Sequence, residues 1–142
     1  MNVPSYDDVE VGQELAAQSF AVRRVDLIRY CGASGDDNVL HWNERSAVAV
    51  GLPDVIAHGM FTMATAARVL TDWAGDPGAV VAYGVRFSRP VPVPDDDVGT
   101  ALAVSARIED KLEGKRVLVA LTATIEDGRK VLANARATVQ LS

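Results

Sequence analysis

The chain has 142 residues, of which 49% are hydrophobic and 23% charged, the balance of one ordinary globular domain over residues 1–142. Its net charge of −5 excludes a general nucleic-acid binder, which carries a basic face, but leaves room for a local arginine cluster facing an anionic ligand. A single cysteine, Cys31, excludes an internal disulfide and fits a reducing, cytoplasmic setting; no charged-then-apolar leader and no apolar run near 18 residues is present, so neither a signal peptide nor a membrane span is expected.

Val9-Glu10-Val11-Gly12 reads as a turn into a short strand from about Glu14 to Val22. Val25 to Cys31 reads as a short helix, with Leu27, Ile28 and Cys31 on roughly one face and Gly32, then Ser34-Gly35, as its stop. A polar turn, Asp36 to His41, follows. Asn43 to Val50 reads as another short helix, with Asn43 as N-cap and Gly51 at its C-terminal end. The most apolar helix opens near Gly59 and runs to about Trp73. From Met60 to Ala67 it carries no charge, the pattern of a helix buried on most sides. Trp73 to Gly78 supplies turn residues that end it.

The remainder reads as strands. Val80–Ser88 is a mixed run. Ala101–Ile108, Arg116–Ile125 and Lys130–Leu141 alternate with period two, which predicts an antiparallel sheet with one covered face. In the last strand the alternation assigns Val131, Ala133, Ala135, Ala137, Val139 and Leu141 to the covered face, and Leu132, Asn134, Arg136, Thr138 and Gln140 to the open one. The link Pro90 to Asp97 holds too many prolines for a central strand. One long apolar helix and a large antiparallel sheet define an α+β architecture, with the sheet curled around the helix. Its edges are expected to be relieved by pairing with a second chain, as a dimer.

Two short stretches carry candidate chemistry. Asp36 and His41 are five residues apart and would diverge by roughly 140° on a continuous helix. The turn residues Gly35-Asp36-Asp37-Asn38 can converge them. A carboxylate beside an imidazole is an acid/base pair; a solvated surface turn is the plainer reading. His58-Gly59 opens the apolar helix, where unpaired backbone N–H groups aim at anions. Glycine admits a ligand atom close to the backbone, so the Gly59 N–H can receive charge developing on a carbonyl oxygen. Equally, Gly59 can simply ease the turn, with His58 a satisfied, partly buried histidine.

Other constellations are weaker. Two histidines and one cysteine do not make a four-ligand zinc site, and no metal is expected. Neither nucleotide-loop motif is present. Cys31 falls on an apolar helix face, and Ser34 lacks a nucleophile-elbow setting. Trp42 and Trp73 read as packing residues. Arg86 and Arg89, on either side of Phe87, read as exposed strand charges or as contacts for an anionic ligand.

Taken together, Tyr30 through Ala47, with Ser34-Gly35-Asp36-x-Asn38-x-x-His41, resembles the hydratase motif of the MaoC-like family of (R)-specific enoyl-thioester hydratases and (3R)-hydroxyacyl dehydratases. Ile56-Ala57-His58-Gly59-Met60, Trp73 to Val80, and Val85-Arg86-Phe87 followed by Pro90 to Pro94 resemble the same family in order, most of all the catalytic B-type subunit of actinobacterial (3R)-hydroxyacyl-carrier-protein dehydratases. With Val9 to Gly12 the similarity spans nearly the whole chain. It implies a hotdog fold, a sheet wrapped around one long helix. It implies that Asp36 and His41 are the catalytic pair, that Asn38 braces their loop, and that the Gly59 N–H polarises a thioester carbonyl. The family's usual proline after the asparagine is Val39 here, which would leave the turn less stiff. A helix hydroxyl that some relatives carry is replaced by Ala67.

The implied activity is reversible hydration of trans-2-enoyl thioesters, or dehydration of (3R)-hydroxyacyl thioesters, without a cofactor. The substrate's carrier would be coenzyme A or an acyl carrier protein, and the partner a second copy or a paralogous hotdog subunit. Two other readings belong to different classes. One is a non-catalytic hotdog subunit that stabilises a dehydratase partner, and the other is a hotdog thioesterase.

Overall fold

The computed structural model describes residues 3–142. Five strands, β1 (Gln18–Val22), β2 (Val80–Phe87), β3 (Thr100–Leu112), β4 (Arg116–Thr124) and β5 (Leu132–Gln140), form one sheet in the order β1-β3-β4-β5-β2, and every neighbouring pair is antiparallel. Three α-helices, α1 (Arg24–Ser34), α2 (Glu44–Ala49) and α3 (Gly59–Ala74), lie between β1 and β2 in the chain. The alternation in β3 and β4 becomes the covered face as expected: Leu102, Val104, Ala106, Ile108, Val117, Val119, Leu121 and Ala123 are all buried. Against them α3 buries Thr62, Ala66, Val69, Leu70 and Ala74. Tyr83 of β2 ties sheet to helix by donating its hydroxyl to the Met63 carbonyl at 2.9 Å, and burial pushes its pKa up to about 12.

The apolar helix is not covered all round. Met60, Ala64, Arg68 and Asp72 are exposed. That is an i, i+4 stripe whose first two members are apolar. The hotdog wrap covers one side of α3 within a single chain and leaves this stripe open.

Two boundaries differ from the sequence reading for local reasons. Helix α1 continues through Gly32 to Ser34 and stops at Gly35, which takes the left-handed φ of 75° and donates its N–H to the Cys31 carbonyl at 3.0 Å. The first strand is shorter than expected. Glu14 makes only an isolated bridge to Arg107, and regular pairing starts at Gln18.

Strand β5 departs from strict alternation. Asn134 has φ 49°, and the β2–β5 register shifts between Gly84 and Arg86. The irregularity turns the strand over, so Leu132 is buried at 3% exposure beside Val131 at 1%, whereas the period-two pattern places Leu132 outside with Arg136.

The proline-rich link is a strap. Val91 and Val93 are fully buried. The Ala57 N–H donates to the Val91 carbonyl at 2.9 Å and the Val93 N–H to the Val55 carbonyl at 2.9 Å. Arg24 reinforces it, donating Nε–H to the Val93 carbonyl at 2.6 Å while its guanidinium pairs with Asp54. The strap thus fixes residues 55–57, which lead directly into His58 and α3.

Candidate active site

The turn after α1 is held by its own polar residues. The Ser34 hydroxyl donates to the Tyr30 carbonyl at 2.7 Å and accepts the Asp36 N–H at 3.1 Å. Asp36 Oδ1 accepts the Asn38 N–H at 3.3 Å, and Asn38 Oδ1 accepts the Leu40 N–H at 3.1 Å. Asn38 thereby caps a single 3₁₀ turn, Val39–His41. The Trp42 indole N–H donates to the Asp37 carbonyl at 2.8 Å. Trp42 is a loop clasp, 45% exposed, rather than a core residue. Four side chains therefore stiffen the turn that Val39 leaves without a proline.

His41 is brought in from the far side of this turn. Its Nδ1 lies 2.7 Å from the Ile56 carbonyl. A carbonyl only accepts, so Nδ1 carries a proton, and in the neutral tautomer Nε2 presents a lone pair. That Nε2 faces Asp36 Oδ2 at 4.0 Å, with the His41 side chain 12% exposed and the Asp36 side chain 54% exposed. The convergence expected of Asp36 and His41 is present, with a gap between them rather than a direct bond.

His58 lies beneath both. It is 1% exposed, and its ring stacks on His41 with centroids 3.8 Å apart and planes at 23°. Its Nε2–H donates to the Asp36 carbonyl at 3.0 Å. Tyr30 closes the other side, with ring centroids 4.6 Å apart. The expectation of a satisfied, partly buried histidine is therefore corrected: His58 is wholly buried, and its Nδ1 has no hydrogen-bond partner among the described residues. Burial pushes its pKa below the ordinary value, against the raising effect of the bond to Asp36, which favours the neutral ring.

The lesser candidates find ordinary roles. Cys31 Sγ lies 3.6 Å from His58 Nε2. Burial, then the charges of Asp36 and Asp37, push its thiol pKa up, which disfavours the nucleophilic thiolate. Ser34 is spent on the helix end. Asp36, His41 and His58 carry potential ligand atoms within 4.8 Å of one another. Stacked imidazoles, however, direct their in-plane lone pairs side by side rather than at one point, a poor start for the tetrahedral cage a zinc ion takes.

A cleft of about 360 Å³ opens beside this cluster, lined by His41, Gly59, Thr62, Phe87, Arg89 and Leu132 among others. Gly59 is the first residue of α3, where N–H groups lack partners within the helix. A Cβ at Gly59 would lie 3.1 Å from the ring of Phe87, which is 51% exposed, so a side chain there is tight against a ring that must shift by a few tenths of an ångström to admit it. Thr62, Phe87 and Leu132 are cleft residues that sequence reasoning did not single out. Thr62 has the i+3 spacing from Gly59 that puts it on the same helix face, a usable signal. Leu132 reaches the cleft only because β5 turns over at Asn134. Ala67 does not line the cleft.

Residues 8–126 match the MaoC like domain, and the chain belongs to this family. Over 137 residues, 96% of this chain and 90% of the relative, it is 29% identical to the (R)-specific enoyl-CoA hydratase of Rhodospirillum rubrum. Over 66 residues it is 46% identical to 3-hydroxyacyl-thioester dehydratase X of Mycobacterium tuberculosis, a match covering 46% of this chain and 22% of that protein. Among solved structures, a MaoC-like dehydratase superposes with a TM-score of 0.94 at 40% identity, covering 99% of this chain and 43% of the other. The unliganded R-hydratase PhaJ1 from Pseudomonas aeruginosa superposes at 0.84 with 28% identity, covering 99% of this chain and 86% of that one. The chain thus spans about a fifth of dehydratase X and less than half of the MaoC-like dehydratase. The fold is the hotdog fold of the R-hydratases. It is shared at 23% identity and a TM-score of 0.71 with the two-chain HadBC (3R)-hydroxyacyl-ACP dehydratase complex of Mycobacterium tuberculosis.

Proposed function

We propose that this chain reversibly adds water across the α,β double bond of a trans-2-enoyl thioester, giving the (3R)-hydroxyacyl thioester, with coenzyme A or an acyl carrier protein as the carrier. The 4.0 Å gap between His41 Nε2 and Asp36 Oδ2 carries this reading. A water oxygen hydrogen-bonded to both at ~2.8 Å would subtend about 90°, close to the angle between its own two O–H bonds. Such a water donates both hydrogens to the pair and turns its lone pairs outward, toward a substrate in the cleft.

In hydration, the Asp36–His41 pair takes a proton from this water as its oxygen bonds to the β-carbon. The electrons of the double bond move toward the thioester oxygen, where the Gly59 N–H and the N-terminus of α3 receive the charge. The pair then returns a proton to the α-carbon, and dehydration reverses the sequence. Each step is a proton transfer or the making of a carbon–oxygen bond, so the reaction calls for no redox or metal cofactor. Asn38 holds the turn that aims Asp36. The acyl tail lies in the 360 Å³ cleft against Ile56, Ala57, Val91 and Leu132.

The working unit in this proposal is one hotdog domain, residues 1–142, paired in the cytoplasm with a second copy or a paralogous hotdog chain. The edge strand β2, with Val81 at 53% exposure, and Met60 of α3 at 57% are the apolar surfaces such a chain would cover. No helix among the described residues is long and apolar enough to cross a membrane.

Asp36→Asn and His41→Ala test the chemistry. Each should lower the rate of crotonyl-CoA hydration by about 10²–10⁴-fold, read as loss of enoyl-thioester absorbance. Near wild-type rates in both variants would remove the mechanism.

A further inference from the structure

The cleft does not end at the dyad. Ser88, Arg89 and Leu132 line both it and a second, larger groove of about 710 Å³ on the sheet beyond, so the two share a lip. The groove's charged lining is Arg89, Arg129, Lys130, Arg136 and a single carboxylate, Asp127, four cations to one anion on a chain whose net charge is −5. Arg129 pairs with Asp127, and Arg136 pairs with Glu109 at 2.7 Å. Among the described residues, Arg89 and Lys130 pair with no carboxylate, and both are exposed.

Two unpaired cations on an acidic protein, at the mouth of a cleft lined by His41 and Gly59, are placed to take the anionic end of a ligand whose other end reacts inside. We propose that the groove binds the phosphate-ester end of the substrate's carrier, with Arg89 and Lys130 as its phosphate contacts. The inference rests on the thioester-hydratase reading and extends it. The acyl group and thioester occupy the cleft beside His41 and Gly59, the carrier arm crosses the lip at Ser88, and its phosphates lie against Arg89 and Lys130. Arginine suits this task because its planar fork matches phosphate oxygens. Neither residue takes part in the chemistry; together they set which carrier is accepted.

The test compares wild type with the double variant Arg89→Gln/Lys130→Gln on two thioesters of the same acyl group, crotonyl-CoA and crotonyl-pantetheine, which lacks phosphate. Both side chains are exposed, so the fold should persist, and a thermal melt checks that it does. The variant should raise KM for crotonyl-CoA about tenfold, as expected for two exposed ion pairs of modest strength, with kcat unchanged. KM for crotonyl-pantetheine should move less than about twofold. Crotonyl-4′-phosphopantetheine separates the sources. If it shares the tenfold loss, the arm's own phosphate is bound; if only crotonyl-CoA does, the nucleotide phosphates are. Either result supports the groove.

Titration calorimetry with free CoA answers independently of turnover. Wild type should bind CoA about tenfold more tightly than the variant at low ionic strength, with the difference shrinking as salt is added. If wild type failed to hydrate any of the thioesters while this difference persisted, the hydratase reading would fall and the groove would stand. Equal CoA affinity in the two proteins, or equal losses on the phosphate-free thioester, would overturn the proposal.

Discussion

The two ends of α3 are built to different specifications. At its C-terminal end Val69, Leu70 and Ala74 are 0–1% exposed, and the polar Arg68 and Asp72 face outward, away from that packing. At its N-terminal end stand a buried histidine with a nitrogen that has no partner among the described residues, a glycine close against a phenyl ring, and a cleft. One end anchors the helix in the sheet, and the other gives up packing to present N–H groups and an imidazole stack. Substitutions along a single helix should therefore divide into those that cost stability and those that cost rate.

The largest expected stability effect is Leu70→Ala. Removing a fully buried leucine should destabilise the fold by about 2–5 kcal/mol, read by chemical denaturation, with kcat of the surviving folded fraction little changed. Loss of rate without loss of stability would erase the distinction between the two ends. Gly59→Ala should do the reverse. Its methyl would press on Phe87, displacing either the ring or the N–H, and kcat should fall by about tenfold or more while the melting temperature moves little, since one oxyanion donor is worth about 10²–10³-fold when removed outright. Adding Phe87→Ala should restore part of the rate, because the space is then available.

His58 belongs to both categories. Its pKa is depressed by burial, so the unfolded chain takes up a proton that the native one refuses. Stability should therefore fall as the pH drops through the ordinary histidine value of about 6.5. His58→Gln keeps an amide donor for the Asp36 carbonyl and removes the titrating ring. It should flatten that slope, seen as a smaller difference in unfolding midpoint between pH 7.5 and pH 5.5. It should also lower kcat with KM nearly unchanged, because the stack that orients His41 is gone.

The smallest effect is expected at Val39. It opens a 3₁₀ turn directly after the capping Asn38, whose φ −52° and ψ 128° suit a residue preceding proline. Val39→Pro should raise stability by about 0.4–1 kcal/mol through the unfolded state and leave the hydration rate within about twofold, since the side chains of Ser34, Asp36, Asn38 and Trp42 already hold the turn.

The same division explains what the sequence could disclose. The scaffold was legible because burial on one face of a strand imposes period two, and Leu102 to Ile108 and Val117 to Ala123 obey it without exception. It failed at Leu132, where the turnover at Asn134 is a property of pairing with β2 and leaves no periodic trace. It failed again on α3, whose composition could not show that Met60 and Ala64 face outward. In the candidate site, the approach of Asp36 to His41 could be expected from turn residues and family resemblance, and Gly59 from its place at a helix start. His58 could not be distinguished from an ordinary core histidine, because its stack on His41 and its bond to the Asp36 carbonyl join residues far apart in the chain. Phe87 and Leu132 came to the cleft the same way, through tertiary contacts alone.

The most direct measurement is the fate of crotonyl-CoA incubated with the wild-type protein, following enoyl absorbance, free thiol and the configuration of the product together. The hydratase mechanism predicts loss of enoyl absorbance and accumulation of (3R)-hydroxybutyryl-CoA to equilibrium, both abolished in Asp36→Asn, with no release of thiol. Release of free CoA would instead indicate a thioesterase, and an unchanged substrate, alone and with a paralogous hotdog partner, would contradict catalysis by this chain.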